Sequence, residues 1–111
     1  MKAERRKKAE VIAKEIASNY IIENLKEAEE EFGIITITQV KISPDLSYID
    51  FYVSSFKQSK LLTKYLAESA KDIERLLCKK MALIKIPRAR FRYDNTGKNA
   101  SEIYDTIKYL H

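Results

Sequence analysis

The sequence predicts an α+β domain, on the pattern of three stretches. Tyr48-Ile49-Asp50-Phe51-Tyr52-Val53 alternates with period two, as a half-buried strand does. Leu62, Tyr65, Leu66, Ser69, Ala70, Ile73, Leu76 and Leu77 recur at three and four, the apolar stripe of a long helix. Pro87 stops that pattern, after which Ala89, Phe91 and Tyr93 alternate with Arg88, Arg90 and Arg92. Strand, helix and strand over residues 48–93 form the frame to which the rest of the chain attaches.

The elements follow in order. Residues 3–25 read as a first helix, with Ala9, Ile12, Ala13, Ile16 and Tyr20 on one stripe and Val11, Ile21 and Leu25 off it. Lys26–Phe32 continues it as a Glu-rich turn, which Gly33 closes as a glycine beyond a helix end does. Ile34–Ser43 is rich in Ile, Thr and Val, the residues of a strand. Its apolar phase runs Ile35, Ile37 and then Val40, Ile42, a shift that predicts a bulge near Thr38-Gln39. Ser43-Pro44-Asp45-Leu46-Ser47 has the chemistry of a turn. The second strand then directs Ile49, Phe51 and Val53 inward and Tyr48, Asp50 and Tyr52 outward, making an irregular hairpin with the first.

Ser59 suits the N-cap of the long helix. The small residues Ser69 and Ala70 interrupt its stripe, which permits either close packing against a neighbour or a kink. Residues 84–87 lead into the third strand. Asp94-Asn95-Thr96-Gly97 forms a turn, and Ser101 caps a short C-terminal helix within residues 99–111 that points Ile103, Ile107 and Leu110 inward. One domain over residues 1–111 is expected, with no internal repeat, and residues 1–8 as a basic arm.

Composition excludes several classes of protein. At 111 residues, 45% hydrophobic and 33% charged, with two Gly and two Pro, the chain is neither disordered nor fibrous. No apolar run approaches the ~20 residues of a membrane span. The basic N-terminus lacks the apolar core of a signal peptide. A single cysteine, Cys78, forms no internal disulfide, so a reducing, cytoplasmic setting is expected.

Catalytic chemistry finds no support in the sequence. Two glycines leave no phosphate-cradling loop, and the one histidine, His111, is the last residue. Cys78 falls on the polar side of the long helix with no histidine to activate it. Asp45, Asp50 and Asp94 would hold magnesium only if they met at one sheet edge, and turn and strand-end aspartates are usually structural. No enzyme activity, cofactor or metal is expected.

The net charge of +5 favours a polyanionic partner, and its distribution says more than its sum. Positive charge gathers in residues 1–14, 60–82 and 83–98, whereas 15–33 is acidic. Arg5, Arg6, Lys7 and Lys8 open the first helix, where cations oppose the helix dipole by ~0.3–1 kcal/mol each at most. They are either a frayed solvated end or an arm kept for phosphate. Lys60, Lys64, Lys71 and Arg75 lie together on the long helix, a line of ~16 Å at 1.5 Å per residue. Taken alone they read as a solvated face, with Glu68, Asp72 and Glu74 nearby. Arg88, Arg90 and Arg92 alone read as a charged edge strand. Two basic rows flanking one core point instead to nucleic acid, with Tyr48 and Tyr52 offering stacking faces. The helix row, supported by the Arg5–Lys8 arm, is the favoured RNA contact.

The element order resembles a type II KH domain, with helices on one face of a three-stranded sheet. Val40-x-Ile42-Ser43-x-Asp45-Leu46-Ser47-Tyr48-x-x-x-Tyr52-Val53-Ser54 resembles the hairpin signature of the ribosome-binding factor A family. Ile73-x-x-Leu76-Leu77-x-x-x-Met81-x-Leu83-x-x-x-Pro87-x-x-x-Phe91-x-Tyr93-Asp94-Asn95 resembles that family's second block, in the right place. The resemblance implies a monomeric cytoplasmic protein that binds the free small (30S) ribosomal subunit and assists late maturation of 16S rRNA. It implies no cofactor, no small-molecule substrate, no membrane and no catalysis. The family's Ala-x-Gly helix kink falls at Ser69-Ala70-Lys71, where Lys replaces Gly. The GxxG loop of strand-gripping KH domains is missing, and residues 27–31 replace a common Asp-Pro turn. Three rivals remain: a general single-stranded RNA-binding KH module, an interaction domain for an acidic protein, and an rRNA-processing nuclease, which the lack of catalytic residues disfavours.

Overall fold

The computed structural model describes residues 3–94. In order the elements are α1 (Ala3–Asn24), α2 (Ala28–Phe32), β1 (Ile35–Ile42), β2 (Tyr48–Ser55), α3 (Leu61–Ala67), α4 (Ala70–Met81) and β3 (Arg88–Tyr93). The expected turn at 95–97 and the C-terminal helix with Ser101, Ile103, Ile107 and Leu110 lie outside the described residues.

The sheet order is β1-β2-β3, with β2 central. β1 and β2 pair antiparallel through the Ser43–Ser47 turn, and β2 and β3 pair parallel. A parallel pair needs a long crossover, which α3 and α4 supply. The register of β1 on β2 shifts between Ile37 and Gln39, leaving Thr38 as the bulged residue. That bulge restores the apolar phase, so Ile37, Val40 and Ile42 are all buried on one face. Ile49, Phe51 and Val53 of β2 join them, and Phe51 stacks on Phe91 at 5.4 Å between ring centroids. Leu62, Leu66, Ile73 and Leu77 of α3 and α4 close the core from above. Each such side chain contributes roughly 1.5–3 kcal/mol when fully buried.

Two expectations are corrected. The buried face of α1 is Ala9, Ala13, Ile16, Ala17 and Ile21, whereas Ile12 is 47% exposed. Small alanines let the helix sit close to its neighbours, so the face centres on them and rotates Ile12 off the core and Ile21 onto it. Residues 26–32 do not simply extend α1: Ala28 N–H bonds Leu25 O, and a separate short helix follows with Ala28 and Phe32 buried. At Ser69 and Ala70, where close packing and a kink were both open readings, Glu68 and Ser69 carry a turn that divides the long helix into α3 and α4. Ser69 has φ −97° and ψ 4°, outside the helical region, yet its N–H bonds Leu66 O and its carbonyl accepts from Ile73. The chain therefore bends at the small residues with its backbone hydrogen bonds made. Lys60 takes the N-cap position of α3, and Ser59, one residue before it, accepts through Oγ from Leu61 N–H at 3.2 Å.

Cys78 is half-buried, not on a freely solvated face, and its thiol donates to Leu83 O. It helps end α4, where Ala82 takes the left-handed conformation at φ 50°.

Candidate nucleic-acid interface

The helices cover one face of the sheet, and among the described residues none covers the other. Period-two alternation dictates what that outer face carries. Tyr48, Asp50 and Tyr52 alternate with the buried positions of β2, and Arg88, Arg90 and Arg92 alternate with Ala89, Phe91 and Tyr93 of β3. The parallel register sets Tyr48 beside Arg88, Asp50 beside Arg90 and Tyr52 beside Arg92, with Lys41 opposite Asp50 on β1. Residues about forty apart in the chain thus become direct neighbours.

Arg90 donates to Asp50 through Nε at 2.6 Å and Nη2 at 3.1 Å, a bidentate fork. Its guanidinium carbon lies 4.0 Å from the centroid of the Tyr48 ring. The hydrogen bonds to Asp50 raise the Arg90 pKa further above its usual value, so the group is a permanent cation. Arg92 approaches the same carboxylate at 3.5 Å, and Lys41 Nζ stands 5.5 Å from the Tyr52 ring centroid. The tyrosine faces expected to be open are therefore capped by the protein's own cations. Arg88 is exposed, its N–H bonding Ser47 O at 2.9 Å, and its guanidinium has no polar partner among the described residues. At the far end of β3, Asp94 reaches across to the bulge and accepts a hydrogen bond from the Thr38 hydroxyl.

The helix row is divided by the turn at Glu68-Ser69. Lys60 and Lys64 belong to the α3 segment and Lys71 and Arg75 to α4, so the straight ~16 Å line of one helix does not exist. All four are exposed, and Arg75 lies 3.8 Å from Asp72 in a solvated pair. Such a pair contributes little, ~0–1 kcal/mol. Arg5, Arg6, Lys7 and Lys8 are helical, in the first two turns of α1. Glu10, which follows them, accepts a hydrogen bond from Ile42 N–H at 2.7 Å. That contact fixes the basic turns at the Ile42–Ile49 end of the sheet, where Arg88 also lies.

The three aspartates considered for metal are separately engaged. Asp45 sits in the hairpin turn, Asp50 serves Arg90 and Arg92, and Asp94 serves Thr38. Among the described residues no three His, Cys, Asp or Glu side chains gather as metal ligands. No helix among them is long and apolar enough to cross a membrane.

Two glutamates that fasten helices to the sheet carry little signal in the sequence. Glu10 takes the outward N–H of edge strand β1, and Glu74 takes that of β3, accepting from Ala89 N–H at 2.8 Å. Each looked like one more charge on a solvated helix face. The only sequence signal available was the place of Glu74 between Ile73 and Leu77, two residues of the apolar stripe, which leaves it beside the core.

A three-stranded sheet with one parallel pair, helices on one face and a broken helix before the last strand is a type II KH-like fold, a class of RNA-binding domain. The profile of ribosome-binding factor A matches residues 4–107. The chain belongs to the ribosome-binding factor A family. It is 34% identical over 104 residues to ribosome-binding factor A of Hahella chejuensis, covering 86% of this chain and 75% of that one. Its fold matches the crystal structure of ribosome-binding factor A from Thermus thermophilus with a TM-score of 0.68 at 18% identity, over 79% of this chain and 94% of that one. A homology model of the Thermus thermophilus factor, fitted into a cryo-EM map of a 30S complex, matches with a TM-score of 0.54 at 18% identity, over 71% and 92% of the two chains.

Proposed function

We propose that this protein binds the free 30S ribosomal subunit in the cytoplasm and assists late maturation and processing of 16S rRNA, by binding and not by catalysis. Membership of the ribosome-binding factor A family, over nearly the whole chain, carries this reading. The 30S complex of the related Thermus thermophilus factor supports the choice of subunit. Charge supports an RNA partner: exposed cations stand on α1, α3, α4 and β3. In this mechanism Lys60, Lys64, Lys71 and Arg75, with the Arg5–Lys8 turns, attract the phosphate backbone and release its counterions. The bound protein then holds one local rRNA conformation while trimming enzymes act. No general base, nucleophile or metal is asked of it.

Deletion of the gene tests the maturation role. Small-subunit particles from the deletion strain should carry 16S rRNA with unprocessed ends, and a plasmid copy should restore the mature ends. Fully mature 16S rRNA in the deletion strain, at all growth temperatures, contradicts the proposal.

A further inference from the structure

The outer face of the sheet has a feature that phosphate attraction alone does not require. Arg90 is held by two partners at once, Asp50 through two hydrogen bonds and Tyr48 with its ring centroid 4.0 Å from the guanidinium carbon. A surface arginine kept only for charge has no need of either, since a mobile guanidinium serves equally well. Fixing the plane costs side-chain entropy, and here that cost is met in the free protein. What a fixed, flat and outward-facing guanidinium offers is a stacking platform. Tyr48 lies against the guanidinium on one side, and the Arg90 side chain remains 42% exposed, which leaves surface for a stacked base. Planar cations of this kind stack on nucleobases.

The flanks match a single strand. Arg88 and Arg92 lie two positions to either side of Arg90, about 7 Å away along an extended strand, close to the phosphate spacing of an extended single strand. The Arg88 guanidinium has no polar partner to surrender among the described residues, and Arg92 makes one long contact with Asp50. Lys41, Arg88, Arg90 and Arg92 outnumber Asp50 and Asp94 on this face, so the surface is complementary to a polyanion.

We infer that the Tyr48–Arg90–Asp50 cluster is a base-stacking platform for single-stranded RNA, with Arg88 and Arg92 holding the phosphates on either side. This deepens the ribosomal reading, on which it rests, by naming unpaired rRNA as the element bound at this face. Its direct test needs no ribosome.

A fluorescein-labelled single-stranded RNA hexamer, titrated with the intact chain, should show saturable binding by anisotropy. Arg90→Lys keeps the charge and removes the plane, and should weaken binding roughly five- to 150-fold, the loss of one stacked base. Tyr48→Leu, which leaves the Arg90–Asp50 fork in place, should weaken it in the same direction. Arg88→Gln with Arg92→Gln should flatten the salt dependence by a slope of about 1.4. Circular dichroism confirms that each variant is folded. If Arg90→Lys and Tyr48→Leu both bind as the parent does, the platform is refuted. It is refuted equally if a polyglutamate peptide competes as well as unlabelled hexamer, which would mark the face as a site for acidic protein. A parent chain that binds 30S subunits but no hexamer overturns this inference and spares the ribosomal reading. Hexamer binding that responds to Arg90→Lys, without 30S binding, upholds the platform and overturns that reading.

Discussion

Gly33 closes α2 with φ 74° and ψ −159°, a conformation essentially confined to glycine. A Cβ there would stand 2.8 Å from Phe56 Cβ, closer than side chains approach. Gly33→Ala should therefore destabilise by about 1–3 kcal/mol, seen as a lower urea midpoint with an unchanged slope. An unchanged midpoint would mean that the helix end shifts to accommodate the methyl. Asp45 is the second residue on which local structure depends. Hydrogen bonds from Ser47 and Ser43 hold its carboxyl at about 2, below its usual 3.8. Because the folded value is depressed, the turn's contribution is complete above 3.8 and is lost as pH falls through about 2. A carboxyl carbon titration by NMR should give a midpoint near 2 for Asp45, returning towards 3.8 in Ser43→Ala. A normal midpoint in the parent chain would show the turn to be open.

At the scale of elements, period was legible and axial placement was not. The strand faces and the bulge followed from residues alone, because a change of phase between Ile37 and Val40 has one simple remedy. Tyr48 and Arg90 were legible as outward residues, but their stacking depended on a parallel register that no local pattern encodes. The face of α1 was legible only in part, since Ala17 and Ile12 differ little in their claim to the core until a sheet closes on one of them. The turn at Ser69 was legible only as one of two readings, because Lys71 stands where a glycine would have decided it. Ala82 gave no signal at all: an alanine in the left-handed region follows from the Cys78 and Leu83 contacts that hold it. Local pattern hid Glu10 and Glu74 in the same way, although they fasten α1 and α4 to opposite edges of the sheet. Glu74→Ala should leave the half-buried Ala89 N–H unpaired and cost about 1–3 kcal/mol. Glu10→Ala should cost a similar amount, and the double variant should show near-additive losses, since the two sites share no partner. Strong coupling in that cycle would mean that the helices dock as one unit.

For the whole molecule, RNA binding is proposed to divide between the helix cations and the outer face of the sheet, with the basic turns of α1 standing at the sheet end where Arg88 lies. In the proposed mode of binding, cations of α1, α3 and α4 attract phosphates, Arg88 and Arg92 add to the salt-sensitive part, and the Tyr48–Arg90–Asp50 cluster acts at close range. Replacing Lys64, Lys71 and Arg75 together by Gln should lower the salt slope of subunit binding by roughly 0.7–0.9 for each phosphate no longer neutralised. An unchanged slope would return that row to a solvated face. Co-sedimentation of the intact protein with purified 30S subunits and with assembled 70S ribosomes, at matched salt, tests the central claim most directly. The protein should travel with free 30S subunits and stay behind from 70S ribosomes. Equal recovery with both particles, or recovery with neither, would contradict that claim.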